Sequence, residues 1–299
     1  IRSPLPNPAG WNPSGRRRCI SKKAIASCSS WSIGTLGMKQ IYQAIIDVEN
    51  KQKPAALCTV VHTRGSTPRR SASKMLVYEN GQILGSVGGG ELERRVIDEA
   101  IISINTHTPK LLKYEMNDPL QGDVGICGGH LEVFVEPILP SDTIIIVGGG
   151  HVGKAVAHLA KWLGFRVVVS DDRVEFCTPA ENPDADLYLP FLLQEIPLHI
   201  DINPRTNIIL TTRGSDVDIS GLPKILESDA GYIGIIGSRK RWMETCTGLQ
   251  KKGITDAQLK RIHSPIGLGI GAETPEEIAI SIMAEVIMLR NNGTGMQMK

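Results

Sequence analysis

The chain has 299 residues, 41% apolar and 21% charged, with a formal net charge of +2. That length admits one large domain or two ordinary ones, either able to bury a core. The near-neutral balance gives no support to a general nucleic-acid or membrane binder. Yet the mean conceals a split. Residues 1–37 contain Arg2, Arg16, Arg17, Arg18, Lys22 and Lys23 and no acid, which leaves the rest of the chain at −4.

The basic extension 1–37 is Ser-, Pro- and Gly-rich and shows no apolar periodicity before Met38. It reads as sequence lying before a natural start at Met38, with a transit peptide as the other reading. No apolar run approaches the roughly 20 residues of a membrane-spanning helix, so a soluble, cytoplasmic protein is expected. From Met38, Ile41, Ile45 and Val48 recur at helical spacing until Pro54. A strand over Ala56–His62 leads to the polar loop Arg64–Arg69. Strands Lys74–Tyr78 and Gln82–Ser86 flank Asn80-Gly81, a hairpin signal. A helix should follow Gly88-Gly89-Gly90 and run to about Ser103. Strands near Lys110–Glu115 and Leu131–Glu136 bracket a second glycine-rich loop, and Pro137 and Pro140 form a linker.

Beyond the linker, strands at Thr143–Val147, Arg166–Ser170, Asn207–Thr211 and Tyr232–Ile236 alternate with helices at about 151–163, 217–227, 239–251 and 275–290. Thr274, Pro275 and Glu277 spell a capped helix start. The expected fold class is α/β: a C-terminal Rossmann-like parallel-sheet domain over 140–290 plus a smaller N-terminal α+β domain over 38–139, with a flexible tail over 291–299.

Gly148-Gly-Gly150-His151-Val-Gly153 lies between a buried apolar strand and a helix. Gly148 permits the tight turn, Gly150 lets backbone approach a pyrophosphate, and Gly153 lets helix and strand pack closely. His151 packs or caps within that loop. Asp171 and Asp172 end the next strand, where an acid would meet a ribose hydroxyl. Two adjacent acids would repel a 2′-phosphate, so an NAD-like nucleotide is expected over NADP unless Arg173 intervenes. Nothing after Gly153 has the size of a dehydrogenase substrate domain, so further chemistry must come from the first domain.

The first domain offers several groups. Gly88, Gly89 and Gly90 could form an anion-binding nest. Cys127 sits among Gly122, Gly125, Gly128 and Gly129. Two readings stand for it: an open thiolate held by neighbouring N–H groups, or a small buried hydrophobe. The six cysteines at 19, 28, 58, 127, 177 and 246 contain no C-x-x-C, which excludes a zinc ribbon and a thioredoxin pair. Cys58, Cys177 and Cys246 read as core residues. Arg64, Ser66, Thr67 and Arg69 could hold a phosphate or a polar ring, or form a solvated loop. In the second domain, Ser238 and Arg239 follow a strand end and are candidate ligand contacts, while Lys240 and Arg241 read as surface charges. His263 opens an irregular loop and is either an acid/base or a loop histidine.

Together, Gly65–Arg69, Gly85–Gly90, Cys127–Gly129, Val147–Gly153, Asp171–Arg173, Tyr232–Arg239 and His263–Glu277 make an ordered pattern. Over about residues 38–290 it resembles the xanthine dehydrogenase accessory (XdhC/CoxI) family. The resemblance implies an accessory protein that binds the molybdenum cofactor (molybdopterin), assists replacement of an oxo ligand by sulfur, and delivers the cofactor to a xanthine dehydrogenase-type molybdenum hydroxylase. It also implies a homodimer that receives sulfur from a cysteine desulfurase. Carried over by position, Gly65–Arg69, Gly85–Gly90 and Cys127 lie near the cofactor, with Cys127 as the candidate molybdenum ligand or sulfur guide. Gly148–Gly153 and Asp171 form the nucleotide-type half. Glu91 stands where members often carry cysteine, and Thr212–Asp218 lacks a histidine often found there. The rival readings are an NAD-dependent oxidoreductase with His263 or Glu91 as acid/base, and a nucleotide-sensing partner protein without chemistry of its own.

Overall fold

The computed structural model describes residues 38–116 and 128–297. The 1–37 extension and Cys127 lie outside the described residues. The chain divides into two compact units, one ending at Pro140 and one beginning at Ser141.

The first unit is built on an antiparallel sheet of β1 (Ala55–Arg64), β2 (Lys74–Tyr78), β3 (Ile83–Gly85), β4 (Lys110–Glu115) and β5 (His130–Ile138), in the order β3-β2-β1-β5-β4. The Asn80-Gly81 turn joins β2 to β3, with Gly81 at φ 79°, as the hairpin signal requires. Residues in a strand alternate between faces, and β1 uses both. Ala56, Cys58 and Val60 pack with Leu92, Val96 and Ala100 of α2 (Gly90–Thr106). Ala55 and Leu57 pack with Ile41, Ala44 and Val48 of α1, which covers residues 38–51. Helices therefore close the two faces of β1, so its alternate side chains feed two separate cores.

The second unit is a parallel sheet of β6 (Thr143–Val147), β7 (Arg166–Ser170), β8 (Leu187–Leu189), β9 (Thr206–Leu210), β10 (Tyr232–Ile235) and β11 (Ile262–His263). Its order is β11-β10-β9-β6-β7-β8. Numbered from β6, that is the 3-2-1-4-5-6 order of a dinucleotide-binding sheet, with the direction of winding reversing between β6 and β9. Ile145, Ile208 and Ile233 pack on one face with α5 (Ser215–Leu226) and α6 (Arg239–Lys251), which bring Leu222, Ile225 and Leu249. Ile144, Ile146 and Ile209 pack on the other with α3 (His151–Trp162) and α8 (Pro275–Arg290) through Val156, Ala160, Ile282 and Met283. Covered on both sides, the strands read as unbroken apolar runs. The start of α8 forms as its sequence predicts: Thr274 Oγ1 accepts from the Glu277 N–H, and Glu277 accepts from the Thr274 N–H. Two short helices, α4 (Ile196–His199) and α7 (Asp256–Leu259), and strands β8 and β11 carry too few residues to show a period. His263 accordingly lies in β11, paired alongside Gly234, and not in an irregular loop.

Candidate functional site

In the first unit, glycines let three segments converge. Gly65 has φ 75°, and a Cβ there would lie 2.7 Å from the Gly128 carbonyl oxygen. A Cβ on Gly129 would run into the Ser66 carbonyl. Gly88 faces Pro68, whose Cγ would be 3.0 Å from an added Cβ. Gly128 and Gly129 are tied to Met116 by two backbone hydrogen bonds of 2.6 and 2.9 Å. Arg64 ends β1, and the Gly65–Arg69 loop after it rests on Gly128–Gly129 and touches the Gly88 loop. The Thr67 hydroxyl donates to the Arg69 carbonyl at 2.9 Å and shapes the turn, while Ser66 is exposed. Arg64, Arg69 and Arg70 are exposed and have no carboxylate partner among the described residues. Arg70 escaped the sequence reading because nothing distinguishes it from any other loop arginine.

The nest expected at Gly88, Gly89 and Gly90 is partly occupied from within. Glu93 Oε2 accepts from the Ser86 hydroxyl at 2.6 Å, the Val87 N–H at 3.1 Å and the Gly89 N–H at 3.2 Å. Burial pushes the Glu93 carboxyl up, but these donors outweigh it and hold it below its usual range. An external anion would find the Val87 and Gly89 N–H groups taken. Glu91 also departs from its expected role as an acid/base. Arg94 and then Arg95 bind its carboxylate and hold its pKa down to about 2, too low for a general acid near neutrality.

His130, which follows Gly129 directly, is a residue the sequence reading missed. Its Nδ1 lies 2.7 Å from Glu115 and its Nε2 3.2 Å from Glu132. Glu115 first, then Glu132, raises its pKa.

In the second unit, the strand ends at the switch point open into a cleft. Gly148, Gly150, Asp171, Asp172, Arg173, the 191–193 segment and the 211–213 segment line it. Gly148 has φ 113°, and a Cβ on it would lie 2.6 Å from the Thr211 carbonyl. Gly153 backs onto the Gly148 carbonyl, as close packing of helix and strand demands. Open space surrounds Gly150. His151 is the first residue of α3 and is exposed.

The two acids differ from expectation. Asp171 is buried and accepts from the Gly149 N–H (2.9 Å), the Arg173 N–H (3.0 Å), Arg173 Nε (3.0 Å) and Arg173 Nη2 (2.8 Å). Burial pushes its carboxyl up, but Arg173 and the two N–H groups outweigh it and hold it below its usual range. A ribose diol would find no unused acceptor on Asp171. Asp172 is bound at both oxygens by Arg213, at 3.2 and 2.8 Å. Each acid is thus paired with an arginine.

Arg241 is not a surface charge. It reaches Asp218 at 2.6 Å through Nη2 and the Thr212 carbonyl at 2.9 Å through Nη1. Asp218 is fully buried, and burial pushes its carboxyl up despite Thr212 and Arg241. Ser238 caps α6 by accepting the Arg241 N–H, and Arg239 is exposed at the helix start. His263 Nδ1 lies 3.3 Å from Glu285, which also accepts from the Tyr232 hydroxyl and the Gly267 N–H. His151, Ser238, Arg239 and His263 do not line the cleft. Among the described residues no three or more His, Cys, Asp or Glu side chains cluster as a metal site, and no helix is long and apolar enough to cross a membrane.

A parallel sheet with a glycine loop at its switch point, carried on the same chain as an antiparallel unit with an arginine-bearing loop, defines a two-unit α/β protein of the Rossmann class. Residues 144–286 match the XdhC Rossmann domain, and residues 49–115 match the XdhC and CoxI family. The chain belongs to the XdhC and CoxI family. It is 34% identical over 257 residues to the uncharacterized protein YqeB of Escherichia coli (strain K12), across 85% of this chain and 47% of that protein; it therefore spans about half the length of that relative. It is 23% identical to a probable xanthine dehydrogenase subunit of Bacillus subtilis (strain 168), across 80% of this chain and 94% of that one. Identity to the molybdenum cofactor insertion chaperone PaoD of Escherichia coli (strain K12) is 22%, across 80% and 84%. A crystal structure described as a xanthine dehydrogenase from Bacillus halodurans aligns at a TM-score of 0.47 and 23% identity, covering 84% of this chain and 96% of that one.

Proposed function

We propose that the protein is a molybdenum-cofactor accessory protein that holds molybdopterin for a xanthine dehydrogenase-type molybdenum hydroxylase. The observation that carries this reading is the glycine-supported loop of the first unit, with Arg64, Arg69 and Arg70 exposed and unpaired among the described residues. Guanidinium groups bind phosphate through paired, charge-assisted hydrogen bonds, and the cofactor's pterin carries a phosphate. Family membership and the similarity to PaoD support the same reading. The residues present fit the organic part of the cofactor: arginines for the phosphate, and Ser66 and Thr67 for polar ring edges. Cys127 adjoins Gly128 in sequence and remains the proposed contact to molybdenum. When bound, the cofactor would supply the molybdenum centre whose oxo ligand is exchanged for sulfur, with a cysteine desulfurase as donor. The protein's own part is to bind, orient and release, as a homodimer in our reading. The second unit would serve a nucleotide in its cleft.

Purification from cells that make the cofactor tests the reading. We expect pterin fluorescence after oxidation, with molybdenum equimolar to the protein, and its loss in Cys127→Ala without loss of folding. Repeated absence of pterin and molybdenum, alongside NAD binding and hydride transfer, would replace it with the oxidoreductase reading.

A further inference from the structure

We propose that the cleft of the Rossmann-type unit takes a nucleotide bearing a phosphate on its ribose, seated between Arg173 and Arg213. The inference rests on reading the cleft as a nucleotide site, and it specifies which nucleotide.

Ligand chemistry follows from which hydrogen-bonding groups are already occupied. A free ribose diol needs acceptors, and the buried acid next after β7 has none to offer, because Asp171 already receives four donors; Asp172 receives one donor on each oxygen, both from Arg213. A phosphate needs donors, and these remain. Arg173 binds Asp171 through Nε and Nη2, so Nη1 keeps its hydrogens. Arg213 binds Asp172 end-on through Nη1 and Nη2, so its Nε edge is unused. Each guanidinium thus keeps one edge with which to bind a phosphate.

The arginines also differ in mobility. Arg173 is fixed, because its guanidinium lies 4.0 Å over the Phe176 ring while it binds Asp171. Arg213 sits in an ion pair at the rim, with 52% of its side chain exposed. Such pairs are weak and screened by water, so Arg213 can turn toward an incoming phosphate. The four charges of Asp171, Asp172, Arg173 and Arg213 cancel, which removes the barrier that two bare acids would set against a dianion. Phe191, Leu192 and Val217 form an apolar wall of the same cleft, suited to a base.

Calorimetric titration of the full chain with NADP+ against NAD+, and with adenosine 2′,5′-bisphosphate against AMP, tests the proposal. The 2′-phosphorylated member of each pair should bind at least about tenfold more tightly. Arg213→Ala should shrink that preference toward parity. Arg173→Gln should do likewise if its fold survives the loss of Asp171's partner; Arg213→Ala carries the test alone if it does not. Equal or tighter binding of NAD+ and AMP would overturn the inference and leave the nucleotide reading standing. A preference that persists in Arg213→Ala also overturns it. No binding of any of the four would remove the nucleotide reading together with the inference.

Discussion

In the first unit, Arg64, Arg69 and Arg70 stand exposed on a glycine support without a carboxylate partner among the described residues. In the second, Arg173, Arg213 and Arg241 each bind an aspartate. The difference separates two uses of one side chain. Arg173 and Arg241, half-buried and paired with buried acids, stabilise the fold and leave little net field, whereas Arg213 holds an exposed pair at the rim. Arg64, at the end of β1, and Arg69 and Arg70, in the loop after it, have no carboxylate partner among the described residues and hold a local charge that an anion can answer. Neither group is distinguished by composition; their partners distinguish them.

The contrast can be broken or sharpened by substitution. The largest loss of stability should come from Arg241→Ala, which strands the buried Asp218 charge. We expect about 3 kcal/mol, read from denaturant midpoints. A change below about 0.5 kcal/mol, the ordinary surface value, would return Arg241 to the exposed class. Next comes Gly129→Ala, whose Cβ meets the Ser66 carbonyl. Overpacking of this kind should cost about 2 kcal/mol and loosen the arginine loop. Glu93→Gln should cost about 1 kcal/mol, because neutral hydrogen bonds replace charge-assisted ones in the glycine nest.

Glu93 also sets a pH limb. Its folded pKa lies below the usual 4.5, so its stabilisation is complete above that value and is lost as pH falls through the lowered pKa. In Glu93→Gln that acid limb should flatten. His130 titrates in the opposite sense. Its folded pKa lies above 6.5, so its contribution is complete below 6.5 and fades as pH rises through the raised value. A proton-NMR titration should place its midpoint above 6.5; a midpoint at or below that value would dissolve the Glu115–His130–Glu132 contact.

Much of the fold was legible because its signals are local. Ile144–Val147 followed by Gly148, Gly150 and Gly153 specifies a strand, a turn and a close-packed helix within a short stretch. Thr274 and Glu277 specify a helix start within one turn. Less of the sites was legible, because their content lies in who binds whom across long separations. Arg213 and Asp172 are 41 positions apart, and Arg241 and Asp218 are 23. The sequence marks Gly88–Gly90 as a nest and Asp171 as an acid at a strand end, yet not that Glu93 partly fills the first or that Arg173 occupies the second. Spacing locates a donor or an acceptor; it does not say whether the group is already taken.

The cradle reading meets its most direct test in the combined variant Arg64→Ala, Arg69→Ala, Arg70→Ala, purified from cofactor-producing cells beside the unaltered chain. Unfolding midpoints should agree within about 0.5 kcal/mol, since no carboxylate partner among the described residues is lost. Pterin and molybdenum content should fall to background in the variant alone. Full retention of both by a folded triple variant would contradict the assignment of this loop as the grip on the cofactor.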